Sequence, residues 1–535
     1  MKNHTQRSRT PAWTRYLNCL ALAGSLSVPM TAMAQPVDPQ AWFGISQPPG
    51  FQAHESPVIL GDDYPPRPAR VPPGEEQFTE LQGEVIRRDL ETIVGFSYWS
   101  QETREVGDGQ LWGRITGMES GKRAMDWVEM RLRQAGVEQV ERQWFDQQPG
   151  TSLWLPLSWR VRLHGDPAFG SDSRDVVLES AMPAGGTEIP PGGVTAPLVF
   201  VGTARPAELQ YMDVAGKIAV QHITPRGHLF LERGPARSKA QALIDRDAVA
   251  VFNIVDYAGN MRMRDISNCG GPCFNFGGQD GRFLEQVMDA AAEAGVTDRL
   301  QATVELQAEE RMGMRGSNVL GIIPGTSEEN IIINAHVDGW FDGANDNGDG
   351  LAILIALAEH FAAAEQPPAR TLVFVGSAGH HTRGLNGPDM LVELNPGLVA
   401  NTVLAINLEH VAARQLNPAR TDTLGVRDVI TDTGGEGFLM NGLSRSSPFL
   451  EDIIRTGGSR YGVNFVSQGS NYNAGDIPDL EAPVFQLIQG NPLYHTSGET
   501  LDTISTPGLE RVARFVAFFV GQVAEAPREN FYQAR

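Results

Sequence analysis

The chain of 535 residues carries 43 Lys+Arg against 64 Asp+Glu, a formal charge of −21, with 41% apolar and 20% charged residues. That composition excludes wholesale disorder, and the length, at ~100 to 200 residues per domain, predicts roughly two to four domains with a sizeable core. An acidic balance of this size opposes phosphate backbones and anionic lipid surfaces, which demand clustered Lys and Arg, so neither nucleic acid nor a membrane surface is an expected partner.

Residues 1–34 read as a secretory signal peptide rather than as part of a fold. Lys2, Arg7, Arg9 and Arg15 make a basic lead, 20–28 is a short apolar run, and Ala32-Met33-Ala34 matches the small-x-small cleavage pattern. The apolar run falls well short of the ~20 residues that a membrane span needs. Cleavage after Ala34 is expected, and with it a periplasmic or secreted location. Asn18 stands before Cys19 where lipidation wants a small residue, which argues against a lipoprotein. No later segment is long and apolar enough to cross a bilayer.

Residues 35–75 form a Pro-rich arm, with Pro65-Pro66 and Pro72-Pro73 and no sustained period. Over 76–185 a larger domain begins. Ser120 could cap a helix in which Ala124, Trp127, Val128, Leu132 and Ala135 share one face, and Gly136 is placed to end it. From 186 to 310 the texture changes to Gly and Pro clusters between short apolar runs at 198–201, 218–220 and 249–255, the pattern of a separate β-rich module. Cys269 and Cys273 lie in its loop-like stretch. A metal reading would need two more soft ligands nearby, so a local disulfide is expected in an oxidising compartment. From 311 to 530 the domain resumes as strand, loop and helix. Apolar strands at 331–333, 372–375, 403–408 and 484–488 alternate with helical segments, including 351–361 and a last helix with Leu509, Val512, Val516, Phe519 and Val523 on one face. This predicts an α/β fold, a mixed and mostly parallel sheet sandwiched by helices, with the β-rich module inserted into it.

In such sheets ligands gather at the carboxyl ends of the strands, and the polar residues obey that rule. After the first of these strands come His336 and Asp338, then Asp346; after the second, His380 and His381; after the third, Glu409 and His410; after the fourth, Tyr494 and His495. Singly each is an ordinary polar residue. Together they are the imidazole and carboxylate set that zinc takes. Asp338, two residues beyond His336, suits a carboxylate that orients a ligand imidazole. Asp346 offers two oxygens and could bridge two metals. His360, inside a helix, and His410, which follows Glu409 and should point to the opposite face, are expected bystanders.

At these residues the sequence resembles the co-catalytic zinc exopeptidases, a family that includes bacterial aminopeptidases, glutamate carboxypeptidases and the non-catalytic transferrin receptor. His336-Val337-Asp338-Gly339-Trp340 is similar to that family's first ligand motif, Gly343-Ala344-Asn345-Asp346-Asn347 to its bridging-Asp motif, Asn407-Leu408-Glu409 to its third, and Pro492-Leu493-Tyr494-His495-Thr496 to its last. Ala196-Pro197-Leu198-Val199-Phe200-Val201-Gly202 with Gly216-Lys217-Ile218 resembles the protease-associated domain inserted into many members. The resemblance implies one or two zinc ions held by His336, Asp346, His381, Glu409 and His495. It departs at one place. Where the family carries a Glu-Glu pair, general base then ligand, this chain has His380-His381, and one extra residue, Arg383 or its neighbour, precedes Gly384-Leu385-Asn386-Gly387-Pro388.

The implied function is an exported metal-dependent hydrolase of the exopeptidase type, metallopeptidase-like and either aminopeptidase or carboxypeptidase. Its substrates would be peptides or small amides, with His380 shuttling the proton and Tyr494 donating to the oxyanion. Imidazole in place of a carboxylate makes the site one unit more positive, which weakens cation binding. The alternative is a catalytically inactive binding protein on the same scaffold, supported by the lost base. Arg383, Asn471 and Tyr472 are candidates for lining the pocket, and dimers in the carboxypeptidase-like branch make a homodimer an expected assembly.

Overall fold

The structure, a computed structural model, describes residues 41–532 apart from 55–57, 62–65, 226–228, 267–268, 419–428, 446, 471–474 and 479. The expected signal peptide, Asn471 and Tyr472 lie outside the described residues. Eight strands make the main sheet, in the order Phe465–Ser470, Leu439–Leu443, Val484–Gln489, Thr402–Glu409, Ser327–His336, Arg370–Ser377, Arg315–Ile323 and Gln139–Asp146. The four central strands, from Val484–Gln489 to Arg370–Ser377, are all parallel, and antiparallel neighbours flank them on both sides.

The apolar runs alternate between two cores, because successive side chains of a strand leave opposite faces. Ile331, Ile333, Phe374, Leu404, Ile406, Phe485 and Leu487 pack into the larger core with helices Gly83–Glu102, Glu119–Gln134, Gly350–Ala362 and Thr506–Glu525. Ile332, Val373, Val375, Ala405 and Val484 face the other way, onto Leu391, Ile477 and Leu480. Burial on both faces is why these strands lack a polar alternation. Gly350–Ala362 is buried from Gly350 through Ala358, as expected of a helix that is apolar all round.

The expected cap at Ser120 is not formed. Helix Glu119–Gln134 starts two residues earlier than such a cap would place it, and the buried Ser120 hydroxyl instead accepts the Ile115 backbone N–H at 3.1 Å, serving the chain that enters the helix. Gly136 follows the helix with φ of 91°, the left-handed region that lets the chain turn away.

A second eight-stranded sheet runs Val176–Val177, Leu153–Leu163, Gln301–Arg311, Val194–Phe200, Ile218–Ile223, Ala250–Val255, Cys273–Phe276 and Met182–Pro183. It thus includes Leu153–Leu163, upstream of residue 186. Cys269 and Cys273 are joined by a disulfide. Trp42 of the N-terminal arm is fully buried against Phe169 and Phe283, with ring centroids 5.4 and 5.7 Å away. Among the described residues no helix is long and apolar enough to cross a membrane.

Asp280, in the first turn of helix Gly278–Glu293, ties this sheet together by accepting from the Ser180 N–H and hydroxyl at 2.7 and 2.6 Å. Burial pushes its carboxyl up from 3.8 to about 6, and the hydrogen bonds from Ser180 and Asn260 only partly oppose this. A folded-state pKa above the unfolded one adds stability that is complete below about pH 4 and lost as pH rises through about 6, a difference of about 3 kcal/mol. Asp280→Asn should therefore flatten the decline in stability between pH 4 and pH 6. Urea titrations across that range check this, and an unchanged decline in the variant counts against it.

Candidate metal centre

The four central strands deliver their carboxyl ends to one edge. His336 closes Ser327–His336 beside Ser377, and Glu409 closes Thr402–Glu409 beside Ile488. Ala378 and Gly379 carry the chain from Arg370–Ser377 into His380 and His381. Between His336 and helix Gly350–Ala362 lies the loop that bears Asp346, and buried Arg114 braces it. The guanidinium donates to the carbonyls of Val337, Asp342 and Gly343 at 2.9, 2.8 and 2.9 Å and to the Ser97 hydroxyl at 2.9 Å. From the other side, Glu499 accepts the backbone N–H groups of Asn345 and Asp346 at 3.1 and 2.7 Å.

Asp346 is the centre of the cluster, with only 2% of its side chain exposed. Its Oδ1 faces His336 Nε2 at 3.2 Å and His410 Nε2 at 3.0 Å; its Oδ2 faces His495 Nε2 at 2.9 Å and His381 Nε2 at 3.5 Å. Donor atoms of His336, Glu409 and His410 form one set with mutual distances within 4.8 Å, and those of Asp346, His381 and His495 form another. The expected ligand residues are therefore brought together around a carboxylate with one oxygen toward each set.

Asp338 orients the first imidazole, its Oδ1 accepting from His336 Nδ1 at 2.9 Å, while its Oδ2 takes the His381 N–H at 3.1 Å. Gly379 makes this approach possible: it sits at φ of 80°, and a Cβ there would fall 1.7 Å from Asp338 Oδ1.

The donor set fits a divalent cation. The contacts to Asp346 are close but not aligned as hydrogen bonds. Both Asp346 oxygens, His336 Nε2 and His410 Nε2 are buried without a hydrogen-bond partner. Orphaned buried groups cost ~1 to 3 kcal/mol each, and a cation would satisfy them jointly. Electrostatics support the same reading. Burial holds His381 down to about 3, despite Asp338 and Asp346, so its imidazole is neutral and has a lone pair to give. Burial also acts on His410, but Asp346, Glu409 and Glu499 outweigh it and lift the group to about 9. His336 is raised well above its ordinary value, Asp476, Asp338 and Asp346 overcoming its burial.

His410 is no bystander. Its strand ends at Glu409 and its own φ is 53°, so alternation no longer applies and the ring swings toward Asp346. His360, in contrast, lies on the helix surface with Nδ1 2.5 Å from Glu80. Asp476 is the residue that motif reading missed. Only 4% of its side chain is exposed, and it lies 2.7 Å from His380 Nδ1 and 4.0 Å from His336 Nε2. The first is an ion-pair contact without hydrogen-bond alignment. Its charge lifts His380 to about 10 against the effect of burial. Glu499, also unpredicted, is pushed up to about 8 by burial and by Asp346. Tyr494 is half-buried, stacked on His495 with centroids 3.7 Å apart. Arg383 is exposed and offers its carbonyl to Gln147 at 2.8 Å.

Residues 318–520 match Peptidase family M28. Two similar solved structures are a zinc aminopeptidase from Bacillus subtilis and a peptidase M28 precursor from Shewanella amazonensis SB2B. The first is 18% identical, covering 85% of this chain and 98% of that one at a TM-score of 0.56. The second is 20% identical, covering 83% and 98% at 0.57. Both share the fold of this chain. Among curated proteins no sequence matches it.

Since zinc ligation needs neutral imidazoles, cation and protons compete at His410, whose pKa is about 9, and at His336. Zinc affinity should fall at least ~10-fold for each pH unit lowered below about 9. Competitive chelator titrations from pH 6 to pH 9 measure this, and an affinity flat with pH would contradict the protonation states described.

Proposed function

Residues 318–520 match peptidase family M28, and on that match we propose that the chain is a metal-dependent hydrolase of the co-catalytic zinc exopeptidase type, exported, whose proton carrier is a His-Asp pair, His380 with Asp476. The observation that carries this reading is the pair of donor sets about Asp346 with His380 and Asp476 beside them.

In this reading His336, Glu409 and His410 would hold one side of the centre and His381 and His495 the other, with one oxygen of Asp346 toward each. Zinc held there supplies Lewis acidity to a scissile carbonyl and acidifies water. Beside a bound cation the charge of Asp476 is opposed and the neutral imidazole is favoured; neutral His380 then takes the proton from the attacking water as its oxygen adds to the carbonyl carbon, and returns it to the nitrogen as the C–N bond breaks. With Nδ1 committed to Asp476, Nε2 is the nitrogen left for that exchange. Asp476 stabilises the imidazolium that forms, the role a buried carboxylate plays beside a catalytic histidine. Asp338 fixes the tautomer of His336. Tyr494, held against His495, donates to the oxyanion.

The substrates are peptides or small N-acyl compounds. We read the leader as a signal for export to the periplasm or beyond, and 186–310 as a protease-associated insert. The parallel pairing of Val194–Phe200, Ile218–Ile223 and Ala250–Val255 supports the insert as a unit.

His380→Ala should lower kcat by ~10²- to 10⁴-fold while zinc content stays at the wild-type level. Hydrolysis of a dipeptide and acyl-amide panel with parallel metal analysis separates these effects. Zinc-loaded wild type that turns over nothing in the panel would support the inactive binding protein instead. Exported protein should begin at Gln35, which N-terminal sequencing reads directly, and a retained leader would count against export.

A further inference from the structure

His336 and His495 face the same bridging carboxylate, but they are oriented from different parts of the molecule. His336 receives its carboxylate from Asp338, two residues away. His495 Nδ1 lies 2.9 Å from Asp265 Oδ2, 230 positions distant in sequence. Asp265 belongs to the connection between Ala250–Val255 and Cys273–Phe276 of the second sheet, which places a segment of that sheet directly behind the centre.

That segment is anchored along its length. Met263 bridges Thr496, the Arg264 N–H donates to the His495 carbonyl at 3.0 Å, and the Ser497 N–H donates to the Arg262 carbonyl at 3.0 Å. The Arg262 N–H reaches the Ser497 hydroxyl at 3.0 Å. Arg264 pairs with Asp265 at 2.9 Å and lays its guanidinium over Trp340 at 3.6 Å, beside the His336 loop. Asp265 itself is held at φ of 58°, an uncommon conformation for a residue with a side chain, and such strain persists only where surrounding contacts over-determine it.

We propose that Asp265 is a positioning residue through which the second sheet completes the zinc site of Asp346, His381 and His495. This rests on the zinc reading above. A carboxylate on Nδ1 fixes the tautomer and the ring orientation so that Nε2 presents its lone pair. The His495 half of the centre thus depends on docking of the second sheet, whereas the His336 half is supported from within its own loop.

Stepwise zinc affinities of the full-length protein, measured by competitive chelator titration, test this. Asp265→Asn and Asp265→Ala should each weaken one zinc-binding step by ~10- to 100-fold and leave the other unchanged. Asp338→Asn, at a carboxylate that orients His336 and also accepts the His381 N–H, should weaken both steps, in contrast to the Asp265 variants. With chelator in excess, both Asp265 variants should melt together with wild type. Wild-type affinities for both steps in the folded variants would overturn the proposal. So would a lowered melting temperature of the zinc-free variants with zinc affinity intact, because Asp265 would then serve docking alone. A wild-type protein that binds no zinc would instead overturn the functional reading itself.

Discussion

Everything at the carboxyl edge of the main sheet is arranged around one buried carboxylate. Asp346 has four imidazole nitrogens within 3.5 Å, two on each oxygen. An anion removed from water is tolerable only when paired, and the pairing fixes where its neighbours must be. His336 and Glu409 come from adjacent strand ends, His381 and His495 from the loops after two others. The constraint extends inward: Arg114, fully buried, holds the Asp346 loop by its carbonyls, and Glu499 holds its N–H groups. A shift in any of these elements would separate the two donor sets that share Asp346.

The chemistry follows from the charges that this arrangement accumulates. Imidazoles at 380 and 381 make the centre more positive than a carboxylate pair would. The structure answers with Asp476, a carboxylate that approaches from the loop before Val484–Gln489 and pairs with His380 at 2.7 Å. The two new imidazoles are not equivalent. His381 is kept neutral by burial and can give a lone pair; His380, beside Asp476, binds a proton firmly. One is suited to ligation and the other to proton transfer, a division set by surroundings and not by residue type.

Much of this was legible in one dimension. The central strands announce themselves because burial on both faces makes their runs mostly apolar, with few polar residues such as Asn334, Asn407 and Gln486 inside them, and titratable residues follow each run at the sheet edge. His336, Asp338, His381 and Glu409 are found this way. His410 is misread by the same logic, since alternation fails once the chain leaves the strand at a positive φ. Asp476 and Glu499 give no comparable signal. Each sits in a glycine-containing loop, after Gly475 and Gly498, where an acidic residue ordinarily marks a turn.

The sequence alone determined the α/β class and where the central strands lie along the chain, and it drew the polar residues to strand ends, because hydrophobic periodicity is a local property. Only the tertiary structure decided which carboxylate serves which imidazole. Asp265 meets His495 and Asp476 meets His380 across loops whose paths depend on how two sheets pack, and packing is set by contacts that no spacing along the chain records.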